Sequence, residues 1–237
     1  MSLAWMTLGL AAVAFLIGGI PFGVVVGRWK GIDVRKSGSG NIGAANVGRL
    51  LGRGWGVTVF VLDTFKGFVV TLVAGWILMA QIPAAADATR ALAWMCVGFG
   101  AILGHNYSPY LGFHGGKGVA TSFGVAVAIY PELTLPALLS LAVWAGAVAL
   151  TRMSSVGSLS AAAAFPLLYL ITSRAYATGL GARWPYLAFA VAMVGLIVLR
   201  HHANIARILA GTENRLGRAK SRFSPYQYQS TRETQDR

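Results

Sequence analysis

Seven long apolar runs, separated by basic and glycine-rich segments, constrain this chain's fold more than any other feature. They fall at about 3–27, 55–80, 91–104, 119–130, 133–151, 156–172 and 185–199. Crossing hydrocarbon takes about 20 helical residues, and backbone groups there are satisfied only within helices or closed barrels. No run alternates with the period of two that a membrane barrel requires, so each is expected to be a helix. Apolar residues make up 56% of the chain and charged ones 11%, against roughly 25% charged in a soluble domain. That composition excludes disorder and argues against a water-soluble globule. The first run lacks both a basic leader and a short apolar core, so it is expected to be retained rather than cleaved. The lone Cys96 excludes a disulfide framework and a multi-thiolate metal site. It is expected to be a small buried hydrophobe.

Charge placement sets the expected topology. With seven spans and the N-terminus outside, the cytoplasmic segments are 28–54, 105–118, 152–155 and 200–237. The first carries Arg28, Lys30, Arg35, Lys36, Arg49 and Arg53 against Asp33, and the last carries eight Lys and Arg against three acids. The outer segments hold Arg90, Arg174 and Arg183, opposed by Asp87 and Glu132. This is a strong positive-inside pattern. Fusing 119–151 through Pro131, Glu132 and Pro136 would leave six spans and push one basic end outside, so the break is favoured. The net charge of +13 is then mostly topology, not a nucleic-acid footprint. The expectation is an all-α integral membrane protein of seven transmembrane helices with a cytoplasmic C-terminus. Residues 1–217 form its membrane domain and 218–237 a polar tail.

The cytoplasmic segments are richer than plain connectors. The first contains Gly38-Ser39-Gly40-Asn41-Ile42-Gly43, a literal G-x-G-x-x-G, but no strand precedes it, so it is no dinucleotide fingerprint. Its glycines would still let backbone N–H groups converge on an anion, with Arg49 adding a bidentate grip on phosphate. A flexible loop that merely obeys the charge rule is the competing reading. In the second, Gly115-Gly116-Lys117-Gly118 opens an apolar run. Leu111 and Gly118 depart from a Walker A motif, yet amides, a helix start and an ammonium gather there as in an anion site. A lysine snorkelling to headgroups is the alternative.

The third segment offers Ser155, which alone would read as a helix cap. Beyond the last run, Ile205, Ile208 and Leu209 imply that the helix continues past the membrane edge. His201 and Asn204 would then share one face, and Arg200, Ala203 and Arg207 another. The adjacent His201 and His202 cannot face one ligand, so no metal is expected. Asp63 and Lys66 lie one turn apart inside the second span, where charges face protein or water. A buried structural pair and a functional one remain equally open.

Basic glycine loops along one rim of an apolar bundle suit a substrate with a phosphate head and a hydrocarbon tail. The chain has no G-x-S-x-G elbow, no H-E-x-x-H and no His-x4-Asp box. A transporter or binder of phosphate-headed lipids is the alternative. Transporters favour repeated halves and midplane groups, whereas no repeat is visible and the candidates sit at one rim.

Four ordered stretches resemble the bacterial membrane acyl-phosphate:glycerol-3-phosphate acyltransferase family. They are Ser39-Gly40-Asn41-Ile42-Gly43-Ala44-Ala45-Asn46-Val47-Gly48-Arg49, Asp63-x-x-Lys66-Gly67, Gly104-His105 through Gly115-Gly116-Lys117-Gly118-Val119-Ala120-Thr121, and Arg200-His201-x-x-Asn204-Ile205-x-Arg207 with Gly211-x-Glu213. The likeness runs from about residue 9 to 217. It implies a multi-pass protein of the bacterial inner (plasma) membrane with its active site on the cytoplasmic side. The implied substrates are acyl phosphate and glycerol 3-phosphate, with lysophosphatidic acid and phosphate as products. No cofactor, metal or nucleic acid is implied, beyond membrane lipids as surroundings. It implies His201, Lys117 and Arg49 as catalytic residues. Ser39, Gly40, Asn41, Gly115, Gly116, Gly118, Ser155 and Asn204 would bind substrate phosphate, with Asp63, Lys66, His105, Arg207 and Glu213 in support. The base is either His201, whose ordinary pKa near 6.5 suits proton transfer, or a substrate phosphate oxygen. Two positions depart from the family pattern: Ala45 stands where a threonine is usual, and Tyr107-Ser108-Pro109 displaces a proline by one.

Overall fold

The computed structural model describes residues 2–82, 87–173 and 180–217. Among these, ten α-helices and one short 3-10 turn at Pro109–Leu111 account for the regular structure, with no strand. The helices are α1 (Leu3–Gly19), α2 (Phe22–Trp29), α3 (Ala44–Leu51), α4 (Arg53–Gln81), α5 (Asp87–Asn106), α6 (Val119–Ala128), α7 (Thr134–Thr151), α8 (Ser154–Thr172), α9 (Leu180–Arg200) and α10 (His202–Leu209). Four segments are long and apolar enough to cross a membrane: Leu3–Trp29, Arg53–Gln81, Thr134–Thr151 and Ser154–Thr172. The bent pair formed by α9 and α10 makes a fifth if counted as one span. The run 119–151 is broken as expected, since α6 ends at Ala128 and α7 begins at Thr134. The expected tail at 218–237 lies outside the described residues.

Along its apolar spans the bundle is apolar on its outside and holds its charges within. Trp5, Val61, Phe65, Trp76, Leu150 and Ile171 are exposed, while Asp63 and Lys66 on α4 are buried. That inversion suits a lipid surround, where intramembrane charges face the protein interior. Cys96 does not follow the expectation of burial: it is exposed between buried Met95 and Val97. Its position on α5 falls on the stripe facing away from the bundle, which an apolar sequence cannot distinguish from the inner one.

Two helix seams are zipped by missing side chains. On α1 against α5, a Cβ at Gly18 would stand 2.1 Å from the Ala101 carbonyl oxygen, and one at Gly104 would stand 2.0 Å from that of Phe15. On α4 against α6, Gly124 meets the Thr64 carbonyl oxygen at 2.0 Å by the same measure. Helices in lipid associate by such close approach, because there is little hydrophobic drive between them. These seams carry the loops after α2 and α5 to one rim, beside the α7–α8 turn and the start of α10.

Candidate active site

The first glycine loop is built around Asn46, which is 1% exposed. Its carboxamide oxygen accepts from the Ser39 backbone N–H at 2.8 Å, and its nitrogen donates to the carbonyls of Val34 and Ser37 at 3.0 and 3.1 Å. Gly38 and Gly40 adopt left-handed φ values of 64° and 71°, which side chains with a Cβ resist. Asn41 accepts from the Gly43 N–H at 2.8 Å. The loop then feeds α3, which carries Arg49.

The second loop is held from two sides. The Gly116 N–H donates to the His105 carbonyl at 3.0 Å. From α9, Arg200 donates to the carbonyls of Gly115 and Gly116 at 3.0–3.1 Å. Ser108 is fully buried, and its hydroxyl donates to the Gly19 carbonyl at 2.6 Å. The displaced Pro109 is therefore accompanied by an anchor to the end of α1. Gly118 is left-handed at φ 77° and starts α6.

The helix after the last apolar run does not continue straight. The axes of α9 and α10 differ by 63°, with His201 at the bend. This overturns the expected division of faces. Arg200 stays behind to clamp the glycine loop, while Arg207 joins His201 and Asn204 on a common cavity. Glu213, past the end of α10, ties the region together. Its Oε1 accepts from Asn204 at 2.7 Å and Ser155 at 2.9 Å, and its Oε2 from Arg207 at 2.8 Å.

These elements enclose a cavity of about 130 Å³. Ser39, Asn41, Arg49, Asp63, His105, Lys117, Gly118, Ser155, His201, Asn204, Arg207 and Glu213 all line it. Of the candidate residues, Gly40, Gly115, Gly116 and Lys66 do not, and the first three shape loops whose neighbours do. Lys117 donates to the Asn204 carboxamide oxygen. The Arg49 Nε is buried without a hydrogen-bond partner, an orphaned cationic donor beside an anion-sized space.

Burial and nearby cations shift the groups on the rim. Burial pushes the Lys117 ammonium down to about 8, opposed by Glu213 and reinforced by Arg207, Arg49 and Arg200. His201 falls to about 4, chiefly through burial and then through Lys117. Its Nδ1 lies 2.8 Å from the Ile197 carbonyl, which can only accept, so Nδ1 carries the proton and neutral Nε2 is the acceptor. Burial would raise Glu213, but hydrogen bonds from Asn204, Arg207 and Ser155 hold it below its ordinary value. Burial also lowers Arg49, which remains charged. No cluster of metal-ligating side chains occurs among the described residues.

Below the polar cavity lies an apolar one of about 70 Å³. Phe60, Val119, Trp144 and Ser158 line both. Ala126, Ala137, Ala162, Phe165 and Met193 line the lower part. Sequence reading missed Phe60, Trp144 and Ser158. They sit in apolar runs with nothing to mark them off from lipid-facing neighbours. It also passed over the organising role of Asn46, whose signal is an amide one helical turn before Arg49.

Fold and site together define an apolar-surfaced helical bundle with a cavity lined by Arg49, Lys117 and Arg207 at one rim and an apolar groove beneath it. Residues 8–211 match the family model for glycerol-3-phosphate acyltransferase. The chain belongs to that family. It is 42% identical over 206 residues to a glycerol-3-phosphate acyltransferase of Geobacter sulfurreducens, covering 87% of this chain and 95% of the relative. The Aquifex aeolicus glycerol-3-phosphate acyltransferase is 38% identical over 216 residues, covering 87% and 97%. A crystal structure of PlsY (YgiH), an integral membrane glycerol 3-phosphate acyltransferase in its glycerol 3-phosphate form, superposes with TM-score 0.76 at 37% identity, covering 92% of this chain and 99% of that one. Its lysophosphatidic acid form gives 0.74, also at 37%, covering 89% and 95%.

Proposed function

We propose that the protein transfers a fatty acyl chain from acyl phosphate to the sn-1 hydroxyl of glycerol 3-phosphate, the first step of phosphatidic acid and phospholipid synthesis. The observation that carries this reading is the convergence of Arg49, Lys117, Arg207 and His201 on one cavity that adjoins an apolar groove. Two phosphates and one hydrocarbon chain need both compartments. In this reading the protein crosses the bacterial inner membrane seven times, with its N-terminus outside and the cavity facing the cytoplasm. The concentration of basic residues in 28–54 and beyond 200 supports that orientation.

Acyl phosphate is already activated, so no enzyme nucleophile is required. The sn-1 oxygen attacks the acyl carbonyl carbon, the carbonyl electrons move to its oxygen, and their return expels phosphate by breaking the bond to the bridging oxygen. Lys117 and Arg49 neutralise the phosphates, with Ser39, Asn41, Ser155, Asn204 and the backbone of the Gly115–Gly118 loop as hydrogen-bonding supports. Glu213 holds Asn204, Ser155 and Arg207 in place. Burial and Lys117 lower His201, and the donor brings its own acceptor in a phosphate oxygen. The hydroxyl proton therefore passes to the leaving phosphate, and His201 Nε2 orients the hydroxyl by accepting its hydrogen bond.

The test is turnover of purified protein with glycerol 3-phosphate and either acyl phosphate or acyl-CoA, following phosphate release and lysophosphatidic acid. Acyl phosphate alone should suffice. Comparable turnover with acyl-CoA and none with acyl phosphate would overturn the donor assignment.

A further inference from the structure

Three titratable side chains meet inside the bundle without a part in the chemistry above. The Lys66 ammonium pairs with Asp63 Oδ1 at 2.7 Å, donates to the Ile20 carbonyl at 2.7 Å and to His105 Nδ1 at 3.0 Å. Of the ammonium's three donors, two reach the Ile20 carbonyl and His105 Nδ1, while Asp63 faces the charge as an ion pair. All three side chains are 5% exposed or less. Removing water from charges is costly, so their retention in hydrocarbon calls for a task.

That task is visible in what His105 touches. Lysine cannot accept, so Nδ1 accepts and Nε2 carries the proton. The Nε2 side of the ring packs on the glycine loop: a Cβ at Gly116 would stand 2.1 Å from Nε2 and 2.9 and 3.0 Å from Cε1 and Cδ2. A Cβ at Gly115 would stand 2.1 Å from the His105 carbonyl oxygen, the same oxygen that the Gly116 N–H addresses. The loop is thus seated on His105 from below while Arg200 holds its carbonyls. Lys66 fixes the ring and ties it to the end of α1 through Ile20. Lys117 is the next residue along.

We propose that Asp63, Lys66 and His105 form a positioning unit that seats the Gly115–Gly116 backbone and so sets where the Lys117 ammonium stands. Asp63 and His105 also border the cavity, but the unit acts through the loop, because the imidazole is held by Lys66 on one side and packs on Gly116 on the other. The glycines are then required as the surface on which the imidazole rests, and the buried charges as the mount that keeps the imidazole in place. The proposal rests on the reading of Lys117 as a phosphate ligand.

Kinetics of purified variants test it, using whichever donor supports turnover. Lys117→Ala first identifies which substrate's KM depends on the ammonium. The double variant Asp63→Asn/Lys66→Met avoids stranding one buried charge. It, His105→Ala and Gly116→Ala should each raise that same KM roughly tenfold, a loss typical of small displacements of a positioned group. The other KM should stay within about twofold. Added to Lys117→Ala, none should weaken direct binding of glycerol 3-phosphate or the donor further, since coupled groups are non-additive. His105→Ala/Gly116→Ala should be no worse than the poorer single variant, because removing the ring makes room for the methyl. Losses that add to Lys117→Ala, or a fall in kcat without that KM signature, overturn the positioning role. Wild-type protein that acylates glycerol 3-phosphate from neither acyl phosphate nor acyl-CoA would instead overturn the functional reading.

Discussion

The Asn204 carboxamide donates to Glu213 at 2.7 Å while its oxygen receives the Lys117 ammonium. One amide thus stands between the principal cation of the cavity and the carboxylate that organises its rim. Glu213 has no free oxygen left for substrate, being engaged by Ser155 and Arg207 as well. Replacing it with alanine strands three donors. Turnover should fall about 10²-fold in Glu213→Ala and about tenfold in Glu213→Gln, which keeps the acceptor but loses the charge. Steady-state kinetics on detergent-purified protein check both.

The cavity residues should stand apart from cations that only satisfy topology. Alanine at Arg49, Lys117 or His201 should cost on the order of 10²-fold in turnover, as for loss of a preorganised donor. Alanine at Arg53 and Arg218 should leave turnover near wild type. Lys117→Arg should rescue only in part, because a planar guanidinium does not replace a compact ammonium against Gly118. Equal and mild effects across all five positions would contradict the assignment.

Burial gives Lys117 a pKa of about 8 in the unliganded protein. A lysine lowered to that value loses its charge as pH rises through it, so anion binding weakens on the alkaline side. The ratio kcat/KM reports the free enzyme. It should fall above about pH 8, and Lys117→Arg should remove that limb whatever its absolute rate. A pH–rate profile in both proteins decides it.

The glycine seams should be intolerant where carbonyls approach. Gly18→Ala and Gly124→Ala, at 2.1 and 2.0 Å from backbone oxygens, should destabilise the bundle by about 1–3 kcal/mol. Gly9→Ala on the open face of α1, with nothing within 4 Å, should not. Thermal unfolding in detergent compares them.

Topology is open to labelling in a Cys96→Ala background. Cysteines introduced near residues 40, 115 and 215 should react only from the cytoplasm, and one at Asp87 only from outside. Labelling of 40 and 215 from opposite faces would exclude an even number of spans between them, and with it the seven-span reading.

Apolar length and charge placement made the all-helical bundle, the break between Ala128 and Thr134, and the gathering of the basic and glycine-rich segments at one rim legible from sequence. Helix formation in hydrocarbon follows from backbone satisfaction alone, and glycine with lysine at a helix start already marks a candidate anion site. Which face of an apolar helix turns inward is a different matter. Cys96 shows it, exposed where burial was expected, and Trp144 and Phe60 show the converse by lining the cavities. Lipid and protein interior are equally apolar, so hydropathy carries no period to separate them. The tertiary structure decided those faces through the glycine seams. It also placed the 63° bend at His201, which no local residue preference announces. That bend brings Arg207 into the cavity and leaves Arg200 on the loop, because contacts across about 80 residues of chain outweigh the helical register of neighbours.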